Sequence, residues 1–551
     1  MAPVSTNSTA SSTFNNRSDG TFNASTYLLD RHLDRGDGER IALSGAGDVL
    51  TYARLHERVV RTAAGLRERG LQPEQRLLMF MADSPDFVTV FLAAMRIGAI
   101  PVPVSTMLHA DGLAELLRDA RARFLAASPE FRTIAEKAAA QAPELAGVLV
   151  GETLAALAEH EPSADSSAEP YPSTADSPAF WLYTSGTTGT PKAAMHRHEA
   201  IRVVCETYGA QVLGIRPEDR CLSAAKAFFA YGLGNSVLFP LSAGATSILE
   251  PSPSRPRVLA DRAREYGATL FFAGPTFFAN MLHADLPSDA MAGVRLSASA
   301  GEALPAALYQ RWTERFGVDI LDGIGMTEML HIFLSNRAGS VRPGTTGVAV
   351  PGYDLRLRDE EGHEVPSGTP GTLYVRGGST ATGYWSRYDA SRRVFQGEWL
   401  CTGDTYVQDD EGYYACLGRT GDMIKASGMW VSPAEVETRL LQHSAVNQVA
   451  VVATIDDDGL EKPVAYVVRA DSSNNVEDPK LEDQVLEDQV LEDELIEFCR
   501  EGLPSFKRPR RVVFLDALPT TATGKVRRVE LRAAAAGLLS KATHGEGTTG
   551  R

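Results

Sequence analysis

From Ala42 to Leu334 the chain alternates short apolar runs of strand length with amphipathic stretches of helical period, as where Arg76 to Met81 gives way to Asp86 to Met95. A chain ordered this way buries its apolar faces by aligning the short runs in a mainly parallel sheet and covering it with helices. The expectation is an α/β protein. Several runs end in glycine-bearing turns: Phe180 to Tyr183 before Thr184-Ser185-Gly186, Leu270 to Ala273 before Gly274-Pro275, Leu296 to Ala300 before Gly301-Glu302, and Ile320-Leu321 before Gly323. Ligands of open α/β sheets sit outside the carboxyl ends of the strands, where small residues let them approach the backbone. These turns are therefore expected to share one crevice.

After about Thr420 the texture changes. Strand-like runs at Gln448 to Ala453, Val464 to Val468 and Arg511 to Leu515, with a helical stretch near Leu491 to Arg500, predict a small α+β unit. At 551 residues and 44% hydrophobic content the chain exceeds what one core encloses. We expect a disordered tail over 1–26, part of a Ser/Thr/Asn-rich start reaching Asp30. A large N-terminal α/β domain of several subdomains is expected over 27–420, a small mobile C-terminal α+β domain over 421–535, and a second disordered tail over 536–551. The stretch from Glu161 to Ser177 reads as a solvated surface connection. Leu481-Glu482-Asp483-Gln484-Val485 recurs at Leu486 to Val490, a five-residue period foreign to heptads and solenoids. It reads as an acidic surface insertion, helical or disordered.

With 54 basic against 70 acidic groups, net −16, the chain is not expected to bind nucleic acid or a membrane surface. The apolar stretch Phe87 to Met95 is too short to span a bilayer, and the start lacks the order of a secretory signal. Five cysteines without a CxxC pair fit a reducing cytoplasm. The glycosylation-type triplets at Asn7, Asn16 and Asn23 are expected as chance products of a Ser/Asn-rich composition. A monomer or homodimer is expected.

The strongest chemical signal is Thr184-Ser185-Gly186-Thr187-Thr188-Gly189-Thr190-Pro191-Lys192. Glycines let backbone N–H groups turn toward an anion, hydroxyls add donors, and the lysine supplies charge against a triphosphate. It is not a Walker A loop, because Gly186 and Gly189 are three apart and Pro191 precedes the lysine. His196 and His198 follow without metal-ligand spacing and are expected as surface or packing residues of a helix.

At these residues the chain resembles the adenylate-forming superfamily of acyl-CoA synthetases, carrier-protein adenylation domains and luciferases, over about Tyr27 to Arg532. Further stretches match in the family's order: Gly325-Met326-Thr327-Glu328, Cys401-Thr402-Gly403-Asp404, Gly418-Arg419, Ser427-Gly428 and Thr523-Gly524-Lys525. The resemblance implies that the Thr184 to Lys192 loop holds the phosphates of ATP, that Thr327 contacts the α-phosphate, and that Glu328 helps hold Mg²⁺. It further implies that Asp404 bonds the ribose hydroxyls, that Arg419 reaches ribose or phosphate, and that Gly301 and Glu302 flank the adenine. Mg²⁺ does prefer hard oxygen ligands, and a carboxylate can accept both hydrogen bonds of a cis-diol. The implied reaction is in-line attack of a substrate carboxylate on the α-phosphorus with Lys525 over the reacting groups, giving an acyl-adenylate and pyrophosphate. Rotation of the small domain about a hinge at Gly421 then exchanges Lys525 for the Gly428 face, which lines a tunnel for the incoming thiol.

Ala225 to Asn235, Asp322 to Asn336 and Ser427 to Pro433 are similar to benzoate-CoA ligases in particular. That similarity implies that Ala230, Tyr231, Gly232, Ala300, Gly325, His331 and Ile332 border a flat aromatic acid, with CoA as acceptor; benzoate, a hydroxybenzoate or salicylate all remain open. A stand-alone enzyme loading a carrier-protein thiol is the alternative, and a noncatalytic adenylate-binding protein is a third reading opposed by Lys192, Glu328 and Lys525. The chain departs from the family pattern at Ala193, where glycine is usual after the lysine, at Gly421, where Asp or Lys is usual, and at Met326, where a smaller residue is common.

Overall fold

The structure is a computed structural model, and it describes residues 20–45, 49–160, 169–185, 191–426, 429–456, 460–470, 481–520, 526–536 and 538. Its largest sheet has nine strands in the order Val348–Ala349, Ile332–Ser335, Ile320–Gly325, Leu296–Ser299, Leu270–Ala273, Arg220–Ser223, Thr246–Ile248, Ile41–Ser44 and Leu50–Thr51. From Ile320–Gly325 across to Ile41–Ser44 every pairing is parallel, and the antiparallel pairings fall only at the two ends. A second sheet, Ile100–Pro103, Arg76–Phe80, Phe124–Ala127 and Gly147–Val150, is parallel throughout. Its strands are almost wholly buried, as expected where helices cover both faces of a parallel sheet. A third sheet of five strands, running from Tyr353–Arg358 to Tyr414–Arg419, is antiparallel.

One strand expected in the main sheet lies elsewhere. Among the described residues Pro178–Ser185 pairs only with Pro191–Arg197, as an antiparallel hairpin from Pro178 opposite Arg197 to Ser185 opposite Pro191, with a register shift between Pro178 and Phe180. The turns after Leu270–Ala273, Leu296–Ser299 and Ile320–Gly325 do emerge side by side from neighbouring parallel strands. An apolar run announces a strand, but its partner is chosen by packing.

The start of the chain also differs from its expectation. Residues 20–30 have a tail's composition, yet Phe22, Ala24 and Leu28 are buried and helices form at Ala24–Leu28 and Asp30–Asp34. Asn23 caps the first helix by accepting from the Ser25 N–H, and its amide reaches the carbonyls of Met95, Arg96 and Tyr171. A buried amide so satisfied has no room for a glycan. The triplets at Asn7 and Asn16 lie outside the described residues, as do 1–19 and 539–551.

The main apolar cluster runs from Phe22 to Tyr414, whereas the clusters built from Ile424 onward contain only later residues. That later region carries Val446–Ile455 antiparallel to Glu461–Arg469, which is parallel to Arg511–Phe514. The repeat lies in a helix, Leu481–Gly502, anchored at its far end by buried Leu495 and Cys499; of the two readings of the insertion, the helical one holds for the described residues. Among the described residues no helix is long and apolar enough to cross a membrane, and all five cysteines are free thiols.

Candidate active site

Three segments meet at Glu328. Ile320–Gly325 ends in a short 3-10 turn, Thr327–Met329, and the chain reverses through Leu330, whose φ of 66° costs a non-glycine residue on the order of 1–3 kcal/mol. The turn is held from outside: the Ala381 N–H donates to the Glu328 carbonyl at 2.8 Å, and the Ser379 hydroxyl donates to the Met329 carbonyl at 2.7 Å. The Glu328 carboxylate is 6% exposed and accepts a short hydrogen bond from the Tyr384 hydroxyl. Burial, with the Glu328 charge beside it, pushes the Tyr384 phenol upward, so it remains a donor. The Lys192 ammonium lies 5.7 Å from the Tyr384 ring centroid, within cation–π range. Lys192, Tyr384 and Glu328 thus form one cluster of charge and donor.

The hairpin places Thr184 opposite Lys192 and Ser185 opposite Pro191. Gly186, Thr187, Thr188 and Gly189 lie outside the described residues. His196 is on the second hairpin strand rather than a helix, because that strand also pairs with the segment around Tyr384 and so extends to Arg197. It is buried, stacks on Phe180 at 5.0 Å and donates from Nε2 to the Thr327 carbonyl at 2.9 Å, bracing the turn before Glu328. Ala193 is fully buried among apolar groups including Trp181, so the methyl standing where glycine is usual is accommodated.

Beside this cluster the aromatic-slot residues converge. Ala230–Leu233 forms one helical turn; the Tyr231 hydroxyl donates to the Ala298 carbonyl at 2.8 Å, on the strand leading to Ala300 and Gly301. His331 lies 5.4 Å from Tyr231, ring to ring, and its Nε2 is 3.3 Å from the Tyr231 carbonyl. Gly325 pairs with Ile332, and a Cβ at Gly325 would stand 2.7 Å from the His331 backbone, so only glycine fits there. Burial holds the His331 imidazole down at about 3, so it is neutral at ordinary pH. Met326 is half-buried against the same core.

Glu302 follows Gly301, whose φ is 103°, and faces the Thr276 hydroxyl at 3.3 Å. Asp404 and Arg419 are cross-strand partners, and Arg419 Nε meets Asp404 Oδ1 at 3.0 Å while a second guanidinium nitrogen donates to the Thr402 carbonyl. These two predicted nucleotide contacts therefore hold each other. Gly421 sits in an open turn with a φ outside the left-handed region, and among the described residues nothing lies within 4 Å of a Cβ built there; this conformation does not require glycine. Neighbouring Asp422 is engaged by Arg528 and Arg532. Lys525 and Gly428 lie outside the described residues.

Sequence reasoning passed over Tyr384, which no motif marks, and Asp322, the residue opening the strand segment Asp322 to Gly325. Asp322 is 5% exposed, its Oδ1 has no hydrogen-bond partner among the described residues, and burial pushes its carboxyl well above the usual carboxylate range. Among the described residues no three His, Cys, Asp or Glu side chains cluster as metal ligands. A single hard carboxylate such as Glu328 fits a Mg²⁺ ion that would take its remaining ligands from a bound phosphate and water.

The chain is similar to known proteins over most of its length. Residues 29–385 match the family described as AMP-binding enzyme, and residues 435–525 match the AMP-binding enzyme C-terminal domain. The chain is 41% identical to a benzoate–CoA ligase of Thauera aromatica, over 93% of this chain and 96% of that protein. It is 40% identical to a 4-hydroxybenzoate–CoA/benzoate–CoA ligase of Rhodopseudomonas palustris, over 93% and 94%. It superposes with a TM-score of 0.84 on a benzoate CoA ligase from Burkholderia xenovorans, at 40% identity over 93% of this chain and all of that one.

Proposed function

This chain belongs to the AMP-binding enzyme family, and from that premise we propose that it activates benzoate or a hydroxybenzoate such as salicylate with ATP, releasing pyrophosphate, and passes the acyl group to CoA, giving aryl-CoA and AMP. What supports the choice of acid is that Tyr231, Gly325, His331 and Ile332 pack together next to the Thr327–Glu328 turn, in a chain 41% and 40% identical to ligases of benzoate and 4-hydroxybenzoate. A planar ring lying against Tyr231 and the neutral His331 edge brings its carboxylate to that turn.

In this reading the hairpin loop and Lys192 cradle the phosphates, and Thr327 bonds the α-phosphate. Glu328, oriented by Tyr384, would hold Mg²⁺, which supplies charge neutralisation on the phosphates when bound. Asp404 takes the ribose hydroxyls and Arg419, released from its partner, reaches the phosphate. Catalysis is positioning and neutralisation of developing charge by Lys192 and Lys525. The small domain then turns at Gly421 and offers its Gly428 face to the thiol. CoA as the acceptor is favoured by relatives that are CoA ligases at 41% and 40% identity over most of their length. The free thiols fit a cytoplasmic enzyme.

Following AMP release from ATP with benzoate, salicylate and the other hydroxybenzoates, with and without CoA, tests the reading. AMP that accumulates only with an aromatic acid and CoA supports it. Adenylation indifferent to CoA transfers the second step to a carrier protein, and preference for aliphatic acids removes the aromatic slot.

A further inference from the structure

The turn that carries Tyr231 into the slot is wired to residues no motif includes. Asp83, in the loop between the strand Arg76–Phe80 and the helix Pro85–Arg96, is 4% exposed and belongs to the second sheet's layer. Both its carboxylate oxygens accept from the Ala227 N–H, at 3.1 and 3.3 Å, across 144 residues of chain. On the other side of the same turn the Lys226 ammonium donates to the Glu250 and Ser252 carbonyls, at 2.6 Å each. Glu250 is itself buried and paired with Arg262 at 2.8 Å. The turn is thus held at Ala227 by the Asp83 carboxylate and at Lys226 by main-chain carbonyls of the segment that carries the Glu250–Arg262 ion pair. The Lys226 carbonyl in turn presses on the slot: a Cβ at Gly232 would stand 2.0 Å from it. Any shift of residues 225–229 is thereby passed to Tyr231 and Gly232.

We propose that Asp83 and Lys226 are positioning residues for the acid: together they fix the 225–229 turn, and through its contact with Gly232 they set where Tyr231 stands against the aromatic ring. This rests on the reading that Ala230 to Gly232 border the acid. Among the described residues neither side chain touches Lys192, Tyr384 or Glu328, so the two act on acid binding and leave nucleotide binding alone. Burial raises the Asp83 carboxyl to about 6, with Lys226 and the Ala227 N–H opposing and Glu250 reinforcing the rise. A group retained as a carboxylate against that cost is holding something.

The test is steady-state AMP formation by the full-length enzyme, with benzoate as the varied acid at saturating ATP and ATP varied at saturating benzoate. Asp83→Ala raises KM for benzoate about tenfold, the loss of one buried acceptor, while kcat and KM for ATP stay within about threefold. Asp83→Asn keeps an acceptor oxygen for Ala227 and recovers most of the loss. Lys226→Met, at the half-exposed edge of the turn, gives the same split and serves should Asp83→Ala not fold by thermal melting. The proposal is overturned if KM for ATP rises alongside that for benzoate, if Asp83→Asn falls as far as Asp83→Ala, or if Lys226→Met leaves KM for benzoate unchanged. Gly232→Ala separates this from the underlying reading, since its methyl enters the same turn. If Gly232→Ala does not disturb benzoate binding, the slot itself is misassigned; if it does and the Asp83 and Lys226 variants do not, only the positioning role falls.

Discussion

The Tyr384 hydroxyl is the one side-chain donor recorded on the Glu328 carboxylate among the described residues, and hydrogen bonds to charged groups contribute about 1.5–3 kcal/mol. Tyr384→Phe should therefore lower kcat/KM at least about tenfold, with most of the loss at low Mg²⁺ concentration, read as AMP formation across a magnesium titration. An unchanged magnesium dependence would detach Tyr384 from the metal-holding role proposed for Glu328. A second residue-scale effect is set by pH. His196 and His198 are buried and held neutral, down at about 4, and His331 at about 3, by desolvation. Their folded values lie below the unfolded 6.5, so the unfolded chain binds more protons, and stability present above pH 6.5 is lost as pH falls through about 4. His198 Nδ1 also accepts from the Ala24 N–H at 3.0 Å, which the imidazolium cannot do. Melting temperature should fall steadily from pH 7 to pH 4.5, and less steeply in His198→Asn; parallel slopes would rule His198 out of the acid response.

At the scale of elements, the acidic helix divides in two. Its far half is structural: Glu492 is 5% exposed and accepts from Arg511 Nε and the Val512 N–H, both at 2.8 Å. Removing that acceptor leaves a buried N–H unpaired, so Glu492→Ala should destabilise the small domain by about 1–3 kcal/mol, seen in its melting transition. The first five-residue unit, Leu481 to Val485, should be removable with AMP formation unchanged, and a loss of activity on its deletion would give the repeat a role. The periodic segments of the chain were readable as elements, and Leu270–Ala273, Leu296–Ser299 and Ile320–Gly325 lie side by side as their turns implied. The hairpin Pro178–Ser185 with Pro191–Arg197 was not, because its first strand is as apolar as a sheet strand and only its partner tells them apart. The ordered start at Asn23 was hidden for a related reason: three carbonyls from distant segments satisfy one amide.

For the whole molecule, the proposed rotation makes the two half-reactions separable. Lys525→Ala should slow acyl-adenylate formation far more than thioester formation from supplied acyl-adenylate, measured as pyrophosphate exchange against CoA-ester production; equal losses would argue against alternation. Gly421→Asp should leave adenylation intact, since among the described residues a Cβ there meets nothing within 4 Å. What the sequence determined by itself was what residue types and periods carry at short range: the family, the alternation of strands and helices, and two cores where one could not suffice. What only the tertiary structure decided was which distant groups meet. Tyr384 meets Lys192 through a cation–π contact, while His196 with Thr327 and Asp83 with Ala227 are joined by hydrogen bonds; all three link segments far apart in the chain, and such contacts leave no local pattern to read.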